Sequence, residues 1–335
     1  MTPTVSIVIP TYNPDKRALA RVLSAVGALL VQPDVKVECV IVDNRSTPQL
    51  QDLTYVQAFL HEHSNARLVR EEAQGLTFAR LAGIRETCGE VVVVFDDDNV
   101  PAPDYLRVAL GLMQQYPFVG VWGPGNVDVE LLDHVPARFQ QRVKAHHGQK
   151  RSDSVLYAFV PNTWLPLYPI GMGQIIRRDV AEGYRRAVEC GQLSATDRRG
   201  GSLASAGDCQ IVWHAIKMGL AAGTHPDLRM LHLIPGSRST PRYLRRLIFG
   251  CAISHYRARA QSFPEQAEAW RRVVPTLPRY GIQVSKVVML SAARNRLRYL
   301  SIDLAELLGE WCGHLSVLGR ENHWTFTLAK RLGLN

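Results

Sequence analysis

The six cysteines of this chain, Cys39, Cys88, Cys190, Cys209, Cys251 and Cys312, form no C-x-x-C pair. That spacing excludes a zinc ribbon and a thioredoxin-like redox motif, and a reducing compartment is the default for dispersed thiols. No stretch reaches the roughly 18 uninterrupted apolar residues that a membrane-crossing helix requires. The opening MTPTVSIVIPTYN lacks a basic n-region, and its apolar run is short and stopped by Pro10, so export through a signal peptide is not expected. A cytoplasmic location follows as the expectation, with a peripheral position at the inner face of the membrane left open. There is no Walker A sequence and no G-x-G-x-x-G after the first apolar run. The usual phosphate-cradling loops are therefore missing, and any phosphate must be neutralised by other means. No internal repeat and no low-complexity linker marks a boundary.

What is present is ordinary in bulk. The 335 residues are 46% hydrophobic and 21% charged, close to usual globular composition, which excludes a disordered or fibrous chain. Such a length suits one large α/β domain with an appendage. The net charge of +9 and pI near 9.4 favour an anionic partner: a nucleotide diphosphate, acidic lipid head groups or nucleic acid. A solvated basic surface explains the same charge. Nucleic acid is not expected, because the basic residues are not interleaved with aromatics in a recognisable module.

VSIVIP, at 5–10, is a continuous apolar run, as expected of a strand buried on both faces. After a turn at Asn13 and Pro14, Leu19, Val22, Leu23, Val26 and Leu30 recur at helical spacing, with Asp15 as the cap. VKVECVIVD and ARLVRE repeat the strand pattern, GLTFARLAGIRET reads as a helix, and EVVVVFDDDN as a further strand. Strands alternating with helices imply right-handed parallel crossovers. FVGVWGPGNVDVEL suggests a strand interrupted by a turn, YPIGMGQIIRRDV a strand followed by a helix, and GDCQIVWHAIKMGL a helix closed by Gly219. The apolar stripe from Val284 to Leu308, with arginines between, predicts one or two amphipathic helices.

In open parallel sheets, ligands bind beyond the carboxyl ends of the strands. Pro10 to Asn13, Asp43 to Thr47 and Asp96 to Asn99 stand at such ends. Adjacent aspartates raise one another's proton affinity, a conflict that a divalent cation resolves. Magnesium and manganese prefer hard oxygen ligands, and magnesium commonly takes one or two carboxylates together with substrate phosphates. If side chains alternate at the strand's end, Asp96 and Asp98 share one side and Asp97 points elsewhere. An acidic loop that caps the next segment is the blander explanation.

VSIVIPTYN, VIVDNRST, GLTFARLAGI, GEVVVVFDDDNVPAPDYL and SAGDCQIVWHAIKMG occur in this order, and together they resemble the family 2 inverting glycosyltransferases of GT-A fold, over roughly residues 4–235. The resemblance implies a nucleotide-diphospho-sugar transferase fold of Rossmann-like type: a mostly parallel sheet flanked by helices. Its catalytic domain would span 1–235, with a nucleotide-binding half at 1–100 and an acceptor half at 101–235, and 236–335 would be a helical C-terminal extension. It implies transfer of a single sugar from a nucleotide-sugar donor, with UDP as the usual nucleotide, to a sugar, lipid-linked sugar or protein acceptor in polysaccharide or glycoconjugate biosynthesis, with Mn2+ or Mg2+. The Q-x-x-R-W motif and transmembrane helices of processive members are missing.

Position by position, the resemblance assigns Pro10, Thr11, Tyr12 and Asn13 to the nucleoside pocket and Asp43 to recognition of the base. Arg80 falls where a basic residue approaches the nucleotide. Asp96 and Asp98 match the outer positions of the D-x-D motif, with Asp97 between them on the donor side and Asp98 as the direct metal ligand. His232 stands where a histidine completes the metal shell, although a packed core histidine explains it equally. Asp208 matches the general base, at a helix start that favours its negative charge. Two departures stand out. Leu81 replaces the asparagine common after the basic residue, and Gly207 replaces the glutamate before the base.

Further candidates are the GMG at Gly171 to Gly173, which permits close backbone approach to a ligand, and Trp164 and Tyr168, which would stack on a sugar unless they are core. Trp213 is expected in the core, and Arg238 would reach the diphosphate or solvent. The tail stripe suits a membrane interface, with Arg294, Arg296 and Arg298 facing anionic lipid, or packing against the catalytic domain or a second subunit as a homodimer. Rival functions are a nucleotidyltransferase, for which PTYNPDKR is a poor phosphate loop, and a non-catalytic sugar-nucleotide-binding subunit, for which Leu81 and Gly207 argue.

Overall fold

A computed structural model describes residues 4–194, 197–272, 276–294 and 296–334. The chain divides into two compact units, Met1–Cys190 with Asp208–Gly236, and Gly191–Gly207 with Ser237–Asn335.

The first unit begins β1 (Thr4–Thr11), α1 (Lys16–Leu30), β2 (Lys36–Asp43), α2 (Thr54–Glu62), β3 (Ala66–Arg70), α3 (Leu76–Arg85) and β4 (Val91–Val94). Val5, Ile7, Val8 and Ile9 of β1 and all four valines of β4 are buried, so both faces of these strands are covered, as their apolar runs predict, and the one polar residue within β1, Ser6, donates to Glu38 of β2. β3, β2, β1 and β4 lie side by side and all three pairings are parallel. Asp15 caps α1 by accepting a hydrogen bond from the Arg17 amide, and Leu19, Val22, Leu23, Val26 and Leu30 face the core.

Beyond β4 the order is β5 (Asn99–Pro101), α4 (Tyr105–Gln115), β6 (Val119–Leu131), α5 (Ala137–His146), β7 (Leu156–Ala158), β8 (Gln174–Arg177), α6 (Arg178–Glu189), α7 (Gly207–Lys217) and β9 (Ala221–Ile234). Here the mostly parallel sheet takes on short antiparallel pairings. β8 runs antiparallel to both β4 and β6, and β9 pairs parallel with β6 but antiparallel with β5 and β7. β4 is followed by a tight turn and the short β5, which pairs antiparallel with β9.

The glycine and proline of GPGN do not interrupt their strand. β6 continues through them with a register shift between Pro124 and Asn126 against β9. A side chain at Gly125 would come within 2.7 Å of the His225 carbonyl oxygen, so only glycine lets the backbones approach there. The Asn126 amide donates to the carbonyls of Pro226 and Ser152, satisfying groups the bulge would otherwise orphan.

The second unit carries α8 (Pro241–Ser262), α9 (Pro264–Arg272), α10 (Leu277–Ala293), α11 (Leu300–Val317) and α12 (Trp324–Arg331). α11 packs along α8 through Leu308 and Cys312. The predicted tail stripe is divided between two helices: Leu307 and Leu308 of α11 point inward, whereas Val288 and Leu290 of α10 and the following Leu297 are exposed. Among the described residues no helix is long and apolar enough to cross a membrane.

Candidate active site

The loops after β1, β2 and β4 leave the sheet at one edge, because Thr11 pairs with Asp43 and Val8 with Val94 in parallel register. Two of these loops are stitched together. The Asn13 amide donates to Ser46 Oγ at 3.0 Å, and Asn13 Oδ1 accepts from the Thr47 amide at 2.7 Å. Asn13 holds a left-handed backbone (φ 46°), which asparagine tolerates better than most residues. Pro10 and Thr11 are buried and Tyr12 is exposed beside them.

Asp43 is buried, and its carboxylate accepts from the amides of Ser46 at 2.8 Å and Leu50 at 3.1 Å, with Arg70 at 3.8 Å. It therefore shapes its own loop. Asn44, which sequence reasoning passed over, does as much: its amide donates to the carbonyls of Glu71 and Ala73, and its oxygen accepts from Gly75 just before α3. The signal available was an asparagine in a polar cluster, a residue type that bonds nearby backbone readily.

The three aspartates do not continue β4. The strand ends at Val94, and residues 96–99 form a turn closed by the Asn99 amide on the Asp96 carbonyl at 3.0 Å. Strand alternation accordingly does not govern them, and each aspartate meets a different neighbour. Asp96 Oδ1 lies 3.5 Å from Arg80 Nη2. Asp97 is buried near Tyr55, whose phenol is pushed up by burial and by the charges of Asp97 and Asp15. Asp98 Oδ1 accepts from Asn99 Nδ2 at 2.8 Å and stands 3.4 Å from His232 Nε2.

Asn99 organises this turn. It is fully buried, its oxygen accepts from the Asp96 amide, and its nitrogen donates to the Asp98 carboxylate. It also opens β5, pairing with His232 of β9 while the Leu233 amide bonds the Asp98 carbonyl. Removing it leaves buried polar groups unmatched, a loss of about 1–3 kcal/mol. Asn99→Ala is expected to lower unfolding free energy by about that amount in urea denaturation.

Arg80, Asp96, Gly171 and Asp208 converge from four elements. The Gly171 amide donates to Asp208 Oδ2 at 2.7 Å. A Cβ at Gly171 would stand 2.9 Å from Arg80 Nη2 and 3.3 Å from Asp208 Oδ2, so the missing side chain is what allows this close approach. Asp208 lies in the first turn of α7, its Oδ1 accepts from the Cys209 amide, and its carbonyl accepts from the buried Gln174, which also bonds the Pro169 carbonyl. Nothing in the sequence marked Gln174. Arg80 is buried on α3, a cationic group 3.5 Å from Asp96 of the turn after β4.

Of the remaining candidates, two are core residues. Tyr168 and Trp213 are buried, and Trp164 packs edge-on against both, at 5.6 and 5.8 Å. Tyr168 Oη bonds the Val160 backbone. Arg238 belongs to the second unit.

The profile of glycosyl transferase family 2 matches residues 6–184, more than half of the chain. The chain belongs to that family. The match spans Asp43, Arg80 and Asp96 to Asp98 and stops short of Asp208 and His232. Among curated relatives, a glycosyltransferase of Nostoc sp. is 29% identical over 182 residues, 53% of this chain and 52% of its own. Cellulose synthase 1 of Komagataeibacter xylinus is 25% identical over 190 residues, 54% of this chain and 11% of its own. This family 2 chain thus spans about half or less of the length of these relatives, and 18% of two rickettsial glycosyltransferases that it also matches. A solved mannosyltransferase of Pyrobaculum calidifontis, in complex with GDP-Man and Mn2+, superposes with a TM-score of 0.55 at 19% identity, over 92% of this chain and 87% of its own. That likeness establishes the fold expected from the motifs, a GT-A glycosyltransferase fold.

Proposed function

We propose that this family 2 chain transfers one sugar from a nucleotide-sugar donor, with UDP as the nucleotide, to an acceptor hydroxyl with inversion at the anomeric carbon. The convergence of Arg80, Asp96, Gly171 and Asp208 carries the reading. It sets a candidate base beside a buried cation beyond the carboxyl ends of the parallel strands, where ligands of such folds bind. Asp43, with Pro10, Thr11, Tyr12 and Asn13, would receive the nucleoside.

The residues present fit a divalent ion. His232 Nδ1 lies 2.9 Å from the His147 carbonyl, and because a carbonyl only accepts, Nδ1 carries the hydrogen. When the ring is neutral, the Nε2 lone pair then faces the Asp98 carboxylate. Two acceptors 3.4 Å apart are reconciled by a shared cation, and a backbone carbonyl that orients the imidazole through its other nitrogen is usual for metal ligands. Among the described residues no group of three His, Cys, Asp or Glu side chains is gathered to hold a metal alone. That suits Mn2+ or Mg2+ arriving with the donor's phosphates, which complete its shell. Asp98 and His232 would hold the ion, with Asp96 assisting, and the ion would stabilise the charge on the departing diphosphate.

Asp208 would accept the proton of the attacking hydroxyl. The Gly171 amide orients its Oδ2, and Arg80 supplies positive charge near the phosphates. Incubation with UDP-sugars and with GDP-mannose, with Mn2+, Mg2+ or a chelator, is expected to release nucleoside diphosphate only when metal is present. Release of pyrophosphate would instead indicate a nucleotidyltransferase. Tight donor binding without turnover across a broad acceptor panel would indicate a non-catalytic binding subunit.

A further inference from the structure

α10 is an amphipathic helix with little of its apolar surface covered by its own unit. Its inner side is narrow: Tyr280 stacks on Trp311 of α11 at 3.9 Å, Ser291 is buried, and Val284 and Val287 are half-buried. The opposite side presents Ile282 and Met289, 57% and 66% exposed, seven residues apart and hence on one face. Arg279 and Lys286, also seven apart, flank them. Leu277, Leu290 and Leu297 are more than half exposed. Solvent contact over so much aliphatic surface is unfavourable and marks a surface made to be covered.

The charge around it identifies the cover. From 276 to 300 the sequence has five basic residues, Arg279, Lys286, Arg294, Arg296 and Arg298, and no acidic one. The three arginines that follow the helix are exposed. Next to it, Trp324 of α12 is 50% exposed and packs edge-on against the same Trp311 that Tyr280 covers, at 5.4 Å. The last turn of α12 adds Lys330 and Arg331, followed by the exposed Leu332. Exposed aliphatics with a basic flank and a half-exposed tryptophan are the composition of a surface lying at a membrane interface. A second copy of the chain fits less well, since a two-fold contact would bring the same five cations face to face.

We infer that α10, Arg294, Arg296, Arg298 and Trp324 together dock this unit on an anionic membrane surface. The aliphatic side chains of Ile282 and Met289 enter the boundary of head groups and acyl chains, and the arginines pair with lipid phosphates. This does not depend on the proposed transfer reaction, because it is read by binding alone.

The test is sedimentation of the full chain with vesicles of phosphatidylcholine alone and of phosphatidylcholine mixed with phosphatidylglycerol. Binding is expected to the mixed vesicles only, and to weaken as salt screens the charges. Replacing Arg294, Arg296 and Arg298 together by alanine is expected to lower the partition coefficient about a hundredfold, since each basic residue near such a surface is worth about fivefold. Ile282→Glu with Met289→Glu is expected to abolish binding. Both sites are exposed, so circular dichroism and melting temperature should match the parent. Failure of the parent chain to bind mixed vesicles at low salt would overturn the inference, as would binding indifferent to both sets of substitutions. So would a dimer in sedimentation velocity that the glutamate pair disperses without any effect of lipid.

Discussion

Asp208→Asn is expected to leave donor binding nearly unchanged and to slow transfer about a thousandfold, within the usual contribution of a positioned general base. The physical basis is narrow. The carboxylate accepts from the Gly171 amide and sits in the first turn of α7. An asparagine of the same size preserves one acceptor for that amide and removes the capacity to take a proton. The measurement is kcat for acceptor glycosylation beside the thermal shift produced by nucleotide sugar, which reports binding to the folded state. A large fall in kcat with an intact thermal shift is the expected pattern. If kcat stays within a fewfold of the parent, the proton goes elsewhere and Asp208 is a helix-start residue orienting the Gly171 loop.

Asp98→Ala should abolish turnover for a different reason, and the two variants are separable. Loss of this carboxylate removes one of the two groups proposed to hold the metal, and metal stabilisation of a leaving group supplies several kcal/mol. Because the proposed ion would be shared with the donor's phosphates, the alanine variant should also lose the metal-dependent part of the donor thermal shift, which Asp208→Asn keeps. Near-normal rates in the variant with metal chelated would dismiss the metal assignment altogether. Asn99 adds a caution to the design: its amide holds Asp98 and its carbonyl oxygen holds the Asp96 backbone, so Asp98→Asn is the gentler companion for checking that the turn still folds.

Much of the first half was legible because its chemistry is local. A strand buried on both faces is mostly apolar: β4 is four valines, and β1 and β2 are apolar apart from Ser6 and Glu38, which bond each other, and the polar residues at their ends. Polar clusters at their ends could then be placed at the ligand-binding edge by topology alone. The arrangement of the aspartates was less accessible. Strand alternation assigned Asp96 and Asp98 to one side, but a turn dictated by the Asn99 side chain sends them to Arg80 and His232 respectively. Asn44 and Gln174 escaped notice because a buried amide becomes recognisable only when its backbone partners are known. Pro124 and Gly125 read as a break because they commonly make turns, whereas pairing on β9 absorbs them as a bulge. In the tail, periodicity showed two helices' worth of apolar residues without telling α11, which buries them, from α10, which exposes them.

The pairing of Asn99 with His232 joins two short stretches that are remote along the chain. A protein fragment ending before β9 would retain every aspartate of the acidic run yet lack the imidazole opposite Asp98. The proposed metal affinity should therefore appear late during refolding, after closure of that distant ladder, and ion uptake would serve as a clock for completion of the sheet.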